Sequence, residues 1–291
     1  MQLFKSFPKE PQTISNNVEV RVVASDRGNY YLFQTITFLL AQQQSQYNLS
    51  ICNVESKVFP DLQQFNLPIV TVGAEKSGMN GLNSTLRKEN EDYWKCLSLP
   101  TGARYILLIE DDAIVVPQFS KLLSSLISKL DHFESIDYVK LYHPNNLRKL
   151  PSKIFEVTIS ISFAWFSCCF FKHLPFLTML MLFIAIYLDI SVLGNQFLAE
   201  VRFHMTGSAY ISYPESCCTP AVIFRKSSVS QMITFFNETA AFAGHAKDHI
   251  LDESSFVGRQ SDINYVTHIG SFSSVRQRSV FLSDLRSQGA R

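Results

Sequence analysis

Three adjacent carboxylic acids follow a continuous apolar run in the first half of the chain. Residues 105–109 (YILLI) have the pattern of a strand buried on both faces, and Glu110, Asp111 and Asp112 come directly after it. Ligands of open α/β sheets bind beyond the carboxyl ends of the strands. Three crowded carboxylates repel one another unless a cation lies among them. The triplet therefore predicts a Mn²⁺ or Mg²⁺ site that could hold a diphosphate, although acids also favour the first turn of a helix.

A histidine near the far end of the chain could complete this site. His268 lies in the run THIG at residues 267–270, and its imidazole could bind the same cation. A single histidine is more often a structural residue. A ligand role for His268 also requires a fold that brings it to the acidic triplet. Gly270, two positions further on, would allow the backbone to approach a phosphate closely.

Two arginines and two aspartates are further candidates. Arg27, in the turn after the first predicted strand, and Arg87, on a predicted helix, are the cations that topology places best to bind a diphosphate or a uracil, although most surface arginines have no such role. A sugar transfer that inverts the anomeric carbon needs one carboxylate to accept the proton of the attacking hydroxyl. Asp248 is the base we predict, Asp252 is the alternative, and either could instead cap a helix.

The elements that must position these residues alternate between strand and helix. This alternation predicts a mostly parallel sheet with crossover helices. The predicted strands are 18–24, 49–54, 69–72, 105–109, 138–142 and 204–213, and the predicted helices are 30–43, 85–97, 117–130 and 227–236.

Two apolar segments interrupt this alternation. Residues 154–171 form a first, marginal segment, and residues 174–193 form a second of about twenty residues, roughly 30 Å as a helix. Together they predict a transmembrane helical hairpin, which would leave both flanking halves in one compartment. The alternative is a helical hairpin buried in a water-soluble core.

Charge and cysteine usage exclude other classes of protein. The net charge of +1 gives no footprint for nucleic acid. The six cysteines include no C-x-x-C pair, which argues against a structural zinc site. Cys52, Cys96, Cys217 and Cys218 could form disulfides in an oxidising lumen, but their spacing does not reveal which would pair.

Four motifs, in this order, resemble those of the post-GPI-attachment-to-proteins factor 4 family. They are YILLIEDDA at 105–113, YVKLYHP at 138–144, SCCTP at 216–220 and THIG-x-FSS-x-R at 267–276. The resemblance extends from about residue 18 to residue 278. It implies a GT-A-like glycosyltransferase domain, split by a transmembrane hairpin, in the Golgi membrane with its catalytic part in the lumen.

The resemblance also implies a reaction. Family members transfer N-acetylgalactosamine (GalNAc) from UDP-GalNAc to a mannose of the glycosylphosphatidylinositol (GPI) anchor, and Glu110-Asp111-Asp112 is the equivalent of their DXD motif. The partners expected are therefore Mn²⁺ or Mg²⁺, UDP-GalNAc, the glycan of a GPI-anchored protein and the lipid bilayer. Family members begin with a membrane anchor, and residues 1–17 contain no apolar run of that length, so we expect a truncated gene model.

These observations predict an α/β, GT-A-like fold in four parts. Residues 1–17 are an N-terminal extension, 18–153 the nucleotide-sugar half, 154–198 the transmembrane hairpin, and 199–291 the acceptor half with a C-terminal tail. Two alternatives remain. One is an N-acetylglucosaminyltransferase acting on N-glycans, for which a hairpin has no purpose. The other is a non-catalytic membrane scaffold, for which three crowded acids have no purpose.

Overall fold

The protein is a mixed α/β fold built on a largely parallel central sheet. The computed structural model describes residues 17–27, 30–42, 47–74, 81–143, 158, 161–162, 165–166, 169, 176–206, 209–214, 218–270, 272–273 and 278–279. Within these residues the central sheet has eight strands, six of which run in one direction. The predicted fold class is thereby confirmed at this level.

The strands and helices are numbered in chain order. The strands are β1 (Val18–Ala24), β2 (Asn48–Asn53), β3 (Ile69–Thr71), β4 (Tyr105–Glu110), β5 (Ala113–Val115), β6 (Tyr138–Lys140), β7 (Ile211–Ser212), β8 (Ala221–Arg225), β9 (Gly258–Ser261), β10 (Val266–His268), β11 (Phe272–Ser273) and β12 (Arg278–Ser279). The helices are α1 (Tyr31–Gln42), α2 (Leu82–Ser98), α3 (Phe119–His132), α4 (Phe176–Thr206), α5 (Lys226–Glu238) and α6 (Lys247–Glu253), with a 3₁₀ turn at Pro60–Gln64.

The sheet has the strand order β3-β2-β1-β4-β8-β6-β9-β7. β1 pairs in parallel with both β2 and β4, while β8 lies antiparallel between β4 and β6. Because β1 and β4 are parallel neighbours, their carboxyl ends meet at one edge of the sheet. The residues that follow Ala24 and Glu110 therefore lie side by side.

Helices cover both faces of the sheet, as the apolar β4 predicts. Leu107 and Ile109 of β4 pack in one core with α1 and α3, whereas Ile106 and Leu108 pack in a second core with α2 and α5. Side chains alternate between the two faces of a strand, so both sets are apolar when both faces are covered. This burial holds the end of β4 in place.

A disulfide and a buried arginine attach α2 to the sheet. Cys52 of β2 and Cys96 of α2 are bonded, with their Cα atoms 5.8 Å apart. The fully buried Arg21 of β1 donates hydrogen bonds to the carbonyls of Cys96 and Leu97 at 2.7 and 3.1 Å, which satisfies acceptors left open at the end of α2. Cys218 is also disulfide-bonded, and its partner lies outside the described residues.

The structure does not support the predicted transmembrane hairpin. Most of the first segment, 154–171, lies outside the described residues, as do residues 174–175 of the second. The rest of the second segment lies within α4, which runs from Phe176 to Thr206. Among the residues described, no helix combines the length and the apolarity that a membrane crossing needs.

The predicted strands also differ from the structure in two places. The strand predicted at 204–213 is wrong for its first residues, because α4 continues to Thr206 and only Ile211–Ser212 form a strand. The alternating apolar residues of this stretch suit a strand locally, but the preceding helix extends into it. β9 was not predicted, since its sequence GRQS has no apolar pattern.

Candidate active site

The acidic triplet lies at the carboxyl edge of the sheet, where β4 ends and the chain turns into β5. The turn is held by neighbouring strands: the Glu110 N–H donates to the Pro220 carbonyl at 2.8 Å, and the Asp111 N–H donates to the Val23 carbonyl at 3.1 Å. Asp111 and Asp112 are almost completely buried, with 1% of each exposed. The sequence-based placement of the triplet at a strand end is therefore correct.

Asp111 faces the loop that follows β1. Its Oδ2 accepts hydrogen bonds from the Ser25 N–H at 2.9 Å and the Ser25 hydroxyl at 3.1 Å, and its Oδ1 lies 3.3 Å from Arg27 Nε. Burial raises the pKa of Asp111 to about 7, against the opposing effect of Arg27. Asp111 thus connects the triplet to the β1 loop.

Asp112 meets His268 because β5 and β10 pair. Their antiparallel register sets His268 opposite Ala113, and the Ile269 N–H donates to the Asp112 carbonyl at 2.8 Å. His268 Nε2 then lies 3.2 Å from Asp112 Oδ2, which also binds Arg27. The contact between His268 and the acidic triplet, which the sequence left open, is therefore present in the structure.

The charges around Asp112 decide its protonation. Burial alone would raise its pKa, but His268 and Arg27 together hold the pKa of Asp112 well below the ordinary range. Burial lowers the pKa of His268, and Asp112 more than offsets this, so that pKa is raised. A metal that bound this imidazole would have to displace its proton.

Gly270 makes the close approach possible. A Cβ atom added at Gly270 would lie 2.3 Å from Asp112 Oδ2 and 3.3 Å from His268 Nε2. No side chain other than hydrogen fits in that space. The sequence pointed to a close approach at Gly270, and the group approached in this structure is a carboxylate.

Glu110, Asp112 and His268 fit a divalent cation. Each offers one ligand atom, and the three atoms lie within 4.8 Å of one another. Asp112 Oδ1 is buried without a hydrogen-bond partner among the described residues, as expected of an oxygen reserved for a ligand. Two carboxylate oxygens and one imidazole nitrogen suit Mn²⁺. The structure brings the predicted ligands together, and their metal role stays a prediction.

The two candidate arginines have different surroundings. Arg27 is half-buried beside Asp111 and Asp112, and burial, which lowers its pKa, is outweighed by their charges, so the pKa is raised. Arg27 therefore binds two carboxylates of the triplet, and its predicted contact with a diphosphate or a uracil is not tested. Arg87 is exposed on α2 and makes no described contact with the triplet. Its predicted binding role is not tested.

Asp248 lies in the first turn of α6, the helix whose first residue touches the triplet. Its Oδ2 accepts from the Cys218 N–H at 3.3 Å, and its Oδ1 lies 3.2 Å from His249 Nδ1. Burial opposes ionisation, but the Cys218 and His249 contacts lower the pKa of Asp248. The alternative base, Asp252, forms an ion pair with the buried Lys140, which favours a structural role for Asp252.

Sequence reasoning missed two residues that contact the acidic triplet. Lys247 lies 2.9 Å from Glu110 and also pairs with Glu89 of α2. Ser25, which holds Asp111, was likewise not singled out. Neither carries a signal in sequence beyond its nearness to Asp248 or Arg27.

A comparison with protein families matches residues 18–268 to the family described as GPI-N-acetylgalactosamine transferase PGAP4. The match covers most of the chain, including the triplet, Asp248 and His268. The chain belongs to the PGAP4 family of glycosyltransferases. The resemblance inferred from the four motifs is confirmed.

The solved structures that match this PGAP4 family member resemble it only weakly. The crystal structure of S. aureus TarS 1–349 matches with a TM-score of 0.32 and 14% identity, over 48% of this chain and 39% of that one. The same TarS fragment in complex with UDP-GlcNAc matches with a TM-score of 0.31 and 16% identity, over 48% and 38%. The chain thus spans well under half of each TarS chain, and scores this low carry no argument about the reaction.

Proposed function

We propose that this chain transfers GalNAc from UDP-GalNAc to a mannose of the GPI-anchor glycan, using a divalent cation. Membership of the PGAP4 family supports the reaction class. The observation that carries the proposal is the meeting of Glu110, Asp112 and His268 at the carboxyl edge of the sheet. A GT-A-like donor site is expected at this edge of a largely parallel sheet.

Three side chains would hold the cation, and others would hold those three. Asp112, Glu110 and His268 supply the ligand atoms, while Arg27 keeps Asp112 ionised and in place. Bound Mn²⁺ or Mg²⁺ would neutralise the charge that develops on the leaving UDP. Asp111, bound to Ser25 and Arg27, keeps the β1 loop against the site.

Asp248 is the proposed base. In an inverting transfer the acceptor oxygen bonds to the anomeric carbon, the bond from that carbon to UDP breaks, and the hydroxyl proton passes to a carboxylate. Asp248 is ionised near neutral pH, as a base must be, and its lowered pKa makes it a weak base. Its position on α6, next to the residue that contacts Glu110, is consistent with this role.

The deciding experiment measures UDP release by purified protein supplied with Mn²⁺, a GPI-like mannoside and either UDP-GalNAc or UDP-GlcNAc. Release from UDP-GalNAc should fall at least about a hundredfold in Asp112→Asn and in the presence of a chelator. Asp61→Asn, on the 3₁₀ turn remote in sequence, is the matched control and should keep the wild-type rate.

Two outcomes would contradict the proposal. Release from UDP-GlcNAc alone would favour the N-acetylglucosaminyltransferase alternative. No release from either donor by folded protein would favour a non-catalytic scaffold. A product that carries GalNAc on the mannoside, identified by mass spectrometry, would establish the acceptor as well as the donor.

We further propose that the enzyme acts at the Golgi membrane with its catalytic part in the lumen. The Cys52–Cys96 disulfide supports an oxidising compartment. Leu177, Met181, Ile184 and Leu188 are exposed at helical spacing on α4, and an apolar stripe of this kind suits contact with lipid.

The membrane proposal is tested by flotation with phosphatidylcholine vesicles. Wild-type protein should float with the vesicles, and Met181→Asp/Leu188→Asp should stay in the dense fraction. Equal flotation of both would exclude α4 as the lipid contact. Fractionation of cells should place the protein with Golgi markers, and any other compartment would refute the localisation.

A further inference from the structure

One buried lysine contacts the candidate metal site and has no part in the reaction described above. Lys247 begins α6, and its side chain is 10% exposed. Its ammonium lies 2.9 Å from Glu110 Oε1, forms an ion pair with Glu89 of α2, and lies 5.1 Å from the centre of the Tyr93 ring. Three elements therefore meet at this one positive charge.

A buried ammonium needs such partners. Desolvation of a lysine is costly unless opposite charges or an aromatic face surround it. Here two carboxylates share it, and Glu89 remains partly exposed, with 36% of its side chain accessible. Lys247 is thus held firmly, and it holds Glu110 firmly in return.

The contact uses an oxygen of a predicted metal ligand. While Glu110 Oε1 binds Lys247, any cation that Glu110 binds must share that carboxylate with the ammonium. The ammonium repels a nearby divalent cation and also competes for negative charge. Glu89 weakens this competition, because it draws part of the interaction of Lys247 away from Glu110.

We propose that Lys247 is a positioning residue that orients Glu110 and sets how strongly the site binds its divalent cation. The proposal rests on the proposed function, since it concerns the same metal site. Lys247 is also the residue before Asp248, so the contact fixes the helix that carries the proposed base relative to the metal ligands. One side chain thereby joins the donor and acceptor parts of the site.

The proposal predicts shifts of opposite sign in two variants. Lys247→Met removes the competing charge, so the dissociation constant for Mn²⁺ should fall about tenfold. Glu89→Gln leaves Lys247 to Glu110 alone, so that constant should rise about threefold. The probe is Mn²⁺ alone, titrated into the full chain and followed by the electron paramagnetic resonance signal of free Mn²⁺.

The effect on turnover separates positioning from binding. Lys247→Met should lower kcat about tenfold at saturating Mn²⁺ even though it binds the metal more tightly, because Glu110 and α6 lose their common anchor. Lys247→Arg keeps the charge and should recover most of the wild-type rate and metal affinity. A role limited to stability would not give tighter metal binding together with slower turnover.

Lys129 provides a matched control. Its ammonium lies 5.0 Å from the centre of the Tyr210 ring and donates to the Ala209 carbonyl, so Lys129→Met also removes a half-buried lysine from an aromatic face. This variant should keep the wild-type Mn²⁺ affinity. Thermal unfolding of every variant checks that it is folded, and Glu89→Gln, altered at a partly exposed residue, keeps the test available if Lys247→Met does not fold.

The outcomes distinguish the two proposals. Tighter Mn²⁺ binding in Lys247→Met with weaker binding in Glu89→Gln supports the role of Lys247. Unchanged affinity in both, or weaker binding in both, overturns it. If the wild type binds Mn²⁺ but transfers no sugar, the proposed function fails while the inference about Lys247 is decided by the affinities alone. If the wild type does not bind Mn²⁺, both fail.

Discussion

Replacing Gly270 with alanine should disable the site while leaving the fold intact. The added Cβ would lie 2.3 Å from Asp112 Oδ2, whereas ordinary contacts begin near 3.4 Å. Asp112 must therefore move by about 1 Å, or the backbone at Gly270 must withdraw by as much. The oxygen displaced is the one that binds His268 and Arg27, so the movement reaches the whole ligand set.

The magnitude follows from this displacement. A misplacement of about 1 Å in a catalytic group costs on the order of a hundredfold in rate, or about 2.7 kcal/mol in the activation free energy. Overpacking costs about 1–3 kcal/mol of unfolding free energy, which for a domain of this size lowers the melting temperature by several degrees. Most of the protein should remain folded at 25 °C.

The assay is the initial rate of UDP release from UDP-GalNAc at saturating Mn²⁺. Gly102→Ala is the matched control, because a Cβ at Gly102 has nothing within 4 Å. Gly102→Ala should keep the wild-type rate, and Gly270→Ala should lose about a hundredfold. A Gly270→Ala rate within about twofold of wild type would refute the argument that this close approach shapes the site.

Three further predictions concern stability. The Cys52–Cys96 bond closes a loop with a separation of 44 residues, so Cys52→Ala/Cys96→Ala should lose about 4 kcal/mol in urea unfolding, and no loss would refute that role. Trp94→Ala removes a buried ring stacked at 3.6 Å on an aromatic ring of α5, and should cost about 3–5 kcal/mol, whereas Trp94→Phe should cost clearly less. Burial alone would raise the pKa of Glu19, but the Arg21 contact lowers it below 4.5, so Glu19 stabilises the fold above that pH and this contribution is lost as the pH falls. The difference in urea midpoint between wild type and Glu19→Gln should therefore change little between about pH 7 and pH 5 and shrink as the pH falls further, to about pH 3, and a constant difference over that whole range would contradict this assignment.

Local sequence patterns predicted much of the sheet correctly. β1 lies at the residues predicted, and β2, β3 and β4 differ from their predicted bounds by only a residue or so, because apolar strands between turn clusters carry their own signal. The strand pattern gave a wrong prediction where a long helix extends into the segment. Residues after 203 alternate like a strand, yet a helix begun at Phe176 continues through Thr206.

The candidate site divides in the same way. Glu110, Asp111 and Asp112 are neighbours in sequence and follow a recognisable strand, so their place at the sheet edge could be predicted. His268 could be proposed only as a residue type of suitable chemistry. Lys247 carries no sequence signal, since a lysine at the start of a short helix is usually solvated.

The sequence by itself determined the strand–helix alternation, the acidic triplet at the end of a buried strand, and the four motifs that indicated the family. These features depend on residues close together in the chain. Tertiary structure alone decided that β5 pairs with β10, which brings His268 to Asp112, and that α6 places Lys247 against Glu110. Contacts between segments more than a hundred residues apart depend on the packing of the whole sheet, and no local pattern encodes them.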